Sequence, residues 1–207
     1  MYNVENNNYE RGVHMNLKQI QVKRWMKQYF TKGILKELLI YGGIIFFCVY
    51  INPNYVAART DVDGFSMEGT LNDKDTLFME KISYHFRNPE RFDIVIFMPD
   101  IEDKDLLYIK RIIGLPGETI QIIAGEVYID GKQLQSDVYG SAKIDVSGVA
   151  TEPFLIPDGE YFVMGDNRVG GKSYDSRYKA IGTINKDQIV GRAAVRIFPF
   201  ESIRLFN

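Results

Sequence analysis

The chain has 207 residues, with 25 lysines and arginines against 27 acids and a formal charge of −2, so no global charge draws it to nucleic acid. Hydrophobic residues make up 45% and charged residues 25%, a composition that supports a folded core and excludes a disordered chain. One cysteine, Cys48, excludes an internal disulfide, and the two histidines, His14 and His85, lie too far apart in sequence to suggest a zinc site or a His-based triad.

Residues 1–16 are polar and asparagine-rich with no apolar period, and read as a mobile tail. From Arg11 to Lys36 the chain carries seven lysines and arginines and no acid. Leu38 to Ile51 is then apolar or glycine throughout, apart from Tyr41 and Tyr50. Adding Ile34 and Leu35 gives a candidate membrane span over 34–55, which Asn52-Pro53-Asn54 brings to a stop. A buried core helix is the alternative that length alone leaves open. Tyr41, Tyr50 and Tyr55 suit membrane interfaces, and the basic residues all precede the apolar run, so the span is favoured. The positive-inside rule then makes 1–33 a cytoplasmic basic tail and 56–207 an extracytoplasmic domain at the cell membrane. Val56-Ala57-Ala58 superficially resembles a signal-peptide cleavage site, but the basic stretch is too long for an ordinary leader.

Beyond the span, short runs rich in β-branched and aromatic residues predict strands at 76–79, 93–97, 107–113, 119–123, 126–129, 160–164 and 190–198. Asp130-Gly131 marks a tight turn. Residues 133–157 are polar and punctuated by glycine and serine, and read as an excursion between core strands. The expected domain is mainly β.

Two segments hold candidate chemistry, 62–71 around Ser66 and 108–118 around Lys110. A single serine in a turn usually bonds only its local backbone. Lys110 and Arg111 interrupt an apolar strand and at strand period point to opposite faces, so one of them must enter a pocket or reach a carboxylate. A lysine held in an apolar pocket loses basicity and can activate a neighbouring hydroxyl. On the strand alone, snorkelling of Lys110 to solvent from an edge holds a slight advantage.

A third segment tips the balance. Gly165-Asp166-Asn167-Arg168 follows a strand, and Ser173-Tyr174-Asp175-Ser176-Arg177 comes soon after. With Ser66-Met67 and Tyr108-Ile109-Lys110-Arg111-Ile112-Ile113-Gly114-Leu115-Pro116-Gly117, these motifs resemble the type I signal peptidases, in the right order and over about 33–200. The resemblance implies a twisted antiparallel β-sheet catalytic domain behind an N-terminal transmembrane helix, with no metal or organic cofactor. It implies a serine endopeptidase that removes signal peptides from exported precursors, Ser66 attacking and Lys110 acting as general base. Ser173 matches a serine that orients the lysine amine. Arg111, Asp175 and Arg177 match charged residues that buttress the site, and Asp166 is a further supporting residue. Taken alone, these charges would form only a surface ion-pair network. Gly64 stands where some members carry a hydroxyl that assists the oxyanion, and Met67 and Phe65 read chiefly as packing groups.

The implied partners are signal-peptide-bearing preproteins and membrane lipid, with small side chains such as alanine accepted before the cleavage site and no nucleic acid. The single span resembles Gram-positive members. Two departures stand out. The family's Ser-Met-x-Pro-Thr-Leu reads Ser66-Met67-Glu68-Gly69-Thr70-Leu71, which should loosen the backbone past the nucleophile. The link between the last two motifs is Val169-Gly170-Gly171-Lys172 instead of two residues, and should bulge outward at Gly170-Gly171. These breaks motivate an alternative, a non-catalytic or narrowly specialised pilus-assembly relative acting on pilin precursors. Self-cleaving Ser-Lys repressors share the dyad logic but not the anchor.

Overall fold

The computed structural model describes residues 4–101, 106–140 and 142–206, and it divides into two units, Met1–Ile51 and Asn52–Asn207. The first unit is helical. Helix α1 runs Val4–Phe46 and continues in wider π-type turns over Phe47–Val56, past the Asn52-Pro53-Asn54 stop. The polar segment expected to be a tail is thus helical from Val4 onward, since nothing in residues 4–16 breaks the backbone ladder of the run that follows. Gln21–Asn52 is long and apolar enough to cross a membrane, with a mean hydropathy of 2.0 over its most apolar window and none of that window buried.

The second unit is antiparallel β structure, as expected. In chain order the strands are β1 Ala57–Asp61, β2 Thr76–Glu80, β3 Ile94–Phe97, β4 Tyr108–Gly114, β5 Thr119–Ile123, β6 Glu126–Ile129, β7 Lys132–Gln133 and β8 Phe154–Leu155. They continue with β9 Glu160–Met164, β10 Ile184–Asn185, β11 Ile189–Phe198 and β12 Arg204–Leu205. The larger sheet has the order β1-β2-β11-β3-β4-β9-β10, with β12 also on β11, and the smaller has the order β7-β6-β5-β8. Register shifts in β11 between Ala193 and Val195 and between Arg196 and Phe198 bend that long strand, so one strand pairs β3 at one end and β2 and β12 along the rest. The β6–β7 hairpin turns at Asp130 and Gly131, both at positive φ, as its Asp-Gly pair demands. Strand β1 has no clear sequence signal. Its residues Ala57–Asp61 are held by register with Thr76–Glu80 rather than by β propensity.

Alternation along the strands builds the core on both faces of the larger sheet. Ile113, Phe162 and Met164 from β4 and β9 pack with Ile120, Ile122, Val127 and Ile129 of the smaller sheet. Val95, Phe97, Ile112 and Val163 pack with Tyr84, Tyr161 and Ile184 elsewhere. A third cluster joins Leu77, Met79, Ile94 and Ile96 to Val62, Met67 and Leu71, so the loop between β1 and β2 is anchored by its own apolar side chains. The 133–157 excursion returns to the core through Ile144, Ala150 and Ile156.

Candidate active site

Strand β4 pairs with β3 from Tyr108 to Arg111 but with β9 only from Arg111 onward, where Arg111 faces Met164. The edge of β4 at Lys110 is therefore left to the chain that follows β9 and to the Ser66 loop. Lys110 and Arg111 diverge there, as strand period requires. Both are buried, at 4% and 3% exposure, so neither snorkels.

Lys110 Nζ donates to Ser66 Oγ at 2.8 Å and to the carbonyl of Ile109 at 3.0 Å. Burial drives its pKa down from the ordinary 10.5 to about 8, helped by the charge of Arg177 and opposed by those of Asp175 and Asp166. A lysine so placed holds a sizeable neutral fraction in mildly alkaline water, with the amine already against the hydroxyl.

The Ser66 loop is fixed from below. Met67 is 1% exposed, and its carbonyl accepts from the N–H groups of Thr70 and Leu71 at 3.0 and 2.8 Å. Gly64 sits at φ +97 and donates its N–H to Asp73 Oδ1 at 2.8 Å. A side chain there would find open space but a strained backbone, which is the local reason for glycine. Gly69 lies at φ +103, a conformation closed to proline, so its glycine shapes the turn rather than merely loosening it.

The segment after β9 closes on this loop. Asn167 donates its backbone N–H to the carbonyl of Ser66 at 3.0 Å, and its side-chain amide donates to Phe65 O and Glu68 Oε2, each at 3.0 Å. A methyl group on Gly165 would stand 2.3 Å from Ser66 O and 2.2 Å from Ser173 Oγ, so only glycine lets the two serines approach this strand end. Ser173 is buried and donates its hydroxyl to Asp175 Oδ2 at 2.6 Å. Among the described residues the hydrogen bonds of Lys110 Nζ go to Ser66 and Ile109, and the amine lies over the Tyr108 ring, 5.2 Å from its centroid.

The supporting charges form buried pairs, not the surface network their types alone suggest. Asp166 is fully buried and takes Arg111 through Nη2 at 2.6 Å and Nε at 2.9 Å, while Arg111 Nη1 reaches Phe92 O at 2.8 Å and the guanidinium stacks on Tyr139 at 3.7 Å. Asp175 accepts from Gly165 N at 3.0 Å, from Ser173, and from Arg177 Nε and Nη2, both at 2.9 Å. Each carboxylate thus meets enough donors to offset its desolvation.

Sequence reasoning quoted Gly165, Asn167 and Arg168 without giving them roles, and it missed the part played by the excursion. Arg168 Nε donates to Gly165 O at 2.7 Å, and its guanidinium pairs with Asp137 at 2.8 Å. Val146 and Val149 also bond Arg177, so residues 133–157 brace the two motifs from outside. The spacer is pinned as well as exposed, because Gly170 N–H donates to Asp145 Oδ2 at 2.8 Å.

Ser66 and Lys110 open on a groove of about 340 Å³ whose walls include Val62, Phe65, Tyr108, Lys172 and Tyr174. Among the described residues no cluster of histidine, cysteine and acidic side chains could hold a metal ion.

A family model described as signal peptidase, peptidase S26, matches residues 35–198. The chain belongs to the signal peptidase family. A probable signal peptidase I-2 of Synechocystis sp. is 39% identical over 157 residues, which are 74% of this chain and 68% of that protein. Signal peptidase I of Bacillus licheniformis is 38% identical, with 69% and 77% covered, and signal peptidase I S of Bacillus subtilis is 36% identical, with 74% and 84% covered. A crystal structure of a signal peptidase I from Enterococcus faecalis is 36% identical, with a TM-score of 0.40, covering 52% of this chain and 98% of that one. As a member of the signal peptidase family the chain is a peptidase, a hydrolase of peptide bonds.

Proposed function

We propose that this peptidase removes signal peptides from exported preproteins with Ser66 as nucleophile and Lys110 as general base, anchored in the membrane by the apolar part of α1. The observation that carries the reading is the 2.8 Å hydrogen bond between Lys110 Nζ and Ser66 Oγ, made by a buried lysine of lowered pKa. The neutral amine takes the Ser66 hydroxyl proton as Oγ bonds the scissile carbonyl carbon. The ammonium so formed gives that proton to the departing amine as the C–N bond breaks. Water, activated by the amine in turn, then hydrolyses the Ser66 ester and frees the enzyme.

The developing oxyanion needs donors. Gly64 N–H is committed to Asp73, whereas Ser66 N–H makes no backbone hydrogen bond among the described residues and is the candidate donor. Ser173, Asp175 and Arg177 act as one buried unit that fixes Gly165, and through it the position of Ser66. Arg111 and Asp166 hold the far side of β4. The basic residues before the apolar segment favour a cytoplasmic N-terminus, with residues 56–207 outside, on the side where exported precursors arrive.

The test is cleavage of a fluorogenic signal-peptide substrate ending in Ala-x-Ala by the full-length protein in detergent or lipid. Wild type is expected to cut after the last alanine, with Ser66→Ala and Lys110→Met both inactive. Cleavage retained by either variant, or no cleavage by wild type, contradicts the assignment.

A further inference from the structure

We propose that Lys172 is a specificity-determining residue that favours an acidic side chain, Asp or Glu, in the polypeptide lying along the Ser66 groove. This rests on the reading of Ser66 and Lys110 as the peptide-cleaving pair.

Lys172 ends the four-residue link that joins the Asp166 and Asp175 motifs. The link is a turn closed by Lys172 N–H on the carbonyl of Val169 at 3.2 Å, with Gly171 at φ +71. Both of its ends are fixed, since Arg168 and Ser173 are 2% and 1% exposed, and Asp145 Oδ2 holds Gly170 N–H at 2.8 Å. A turn so pinned sets where its last residue stands. That residue lies on the wall of the groove that holds Ser66 and Lys110, beside Tyr174.

The charge balance of the groove points to what Lys172 meets. Asp61 is occupied by Arg59 at 3.1 Å and by the Thr76 hydroxyl at 2.7 Å, and Asp63 is occupied by Lys74 at 2.6 Å. Lys172 has no carboxylate at ion-pair distance among the described residues. The groove therefore carries a cation that the described protein does not neutralise, at a position fixed by backbone on both sides. A substrate carboxylate is its natural complement, and a substrate lysine at the same place would be repelled.

The test uses fluorogenic peptides identical except at one position, which carries Glu, Gln or Lys and is moved along both sides of the scissile bond. Full-length wild type, Lys172→Ala and Lys172→Glu are compared through the Glu-to-Lys ratio of kcat/KM within each protein, which cancels any general loss of activity. At one or two adjacent positions wild type is expected to prefer Glu about two- to fivefold, as for a solvent-exposed pair. The preference should vanish in Lys172→Ala, reverse in Lys172→Glu, and shrink at roughly 1 M salt. A wild type that cleaves with a flat profile, or a profile shared by all three proteins, overturns the role of Lys172 alone. A wild type that cleaves none of the peptides overturns the Ser66–Lys110 reading beneath it.

Discussion

The backbone N–H of Asn167 donates to the carbonyl of Ser66 at 3.0 Å, tying the loop that carries the serine to the segment just after β9, whose last residue, Met164, pairs with Arg111 next to Lys110 on β4. The side chain of Asn167 strengthens the tie through Phe65 O and Glu68. Asn167→Ala keeps the backbone bond and removes both others, at about 1 kcal/mol apiece. The expected outcome is a fall of about tenfold in kcat with a smaller change in KM, measured on a fluorogenic signal peptide. Unchanged kcat would mean that the apolar anchors Met67 and Leu71 hold the loop alone.

Position 69 separates two meanings of the same glycine. Restoring the family proline by Gly69→Pro forces φ toward about −65°, whereas the turn needs φ +103. Activity should fall more than about tenfold and the melting temperature should drop, because the turn cannot keep its shape. Gly69→Ala, which pays only the cost of a side chain at positive φ, should lose about 1 kcal/mol of stability in a denaturant titration. A Gly69→Pro protein as stable and active as wild type would show that the turn is not held at positive φ.

Asp166 and Arg111 form a buried pair, with Asp166 fully enclosed and Arg111 nearly so. Asp166→Asn leaves the guanidinium buried beside a neutral amide, a change that typically costs about 3–5 kcal/mol. Thermal unfolding should shift down by roughly 10 °C for a domain of this size. A shift within experimental error would mean that Phe92 O, the Thr70 hydroxyl, which accepts from Arg111 Nη2 at 3.3 Å, and the Tyr139 ring satisfy Arg111 without the charge.

Much of this architecture was legible in the residues. Strands such as 94–97 and 160–164 announce themselves because buried β-branched runs bounded by turn residues have few other uses. Ser66 and Lys110 were reachable only through the order of three motifs, since a serine in a turn and a lysine in a strand have commoner fates. What stayed hidden is long-range by nature. Nothing local tells that Asp137 and Asp145, deep in a polar excursion, return to hold Arg168 and Gly170. The burial of Arg111 and Asp166 was likewise illegible, because a charge carries no mark of the residues that will cover it. The left-handed backbone at Gly69 was illegible for a related reason, as its φ is set by how Thr70 and Leu71 close back on Met67.

Lys110 also has a stability cost with a definite sign. In the unfolded chain its amine titrates near 10.5 and in the folded protein at about 8, so the unfolded state binds more protons between those values. Stability from this group therefore rises as pH goes from about 8 to 10.5, and below about 8 the folded state carries a penalty of about 3 kcal/mol. Lys110→Met removes the charge at similar length. It should unfold at higher denaturant than wild type near neutral pH, with the gain shrinking above about pH 8 and gone by about 10.5. A gain independent of pH would place its origin in packing instead.

The most direct test of the paired serine and lysine is the pH dependence of kcat/KM for the full-length enzyme, with a peptide that has no group titrating in the range. The limb reports the free enzyme's essential base. Lys110 at about 8 predicts a rise of about tenfold per pH unit up to a bend near that value and a plateau above it. A profile flat from about pH 6 upward, or one that bends only near 10, would contradict Lys110 as the base that activates Ser66.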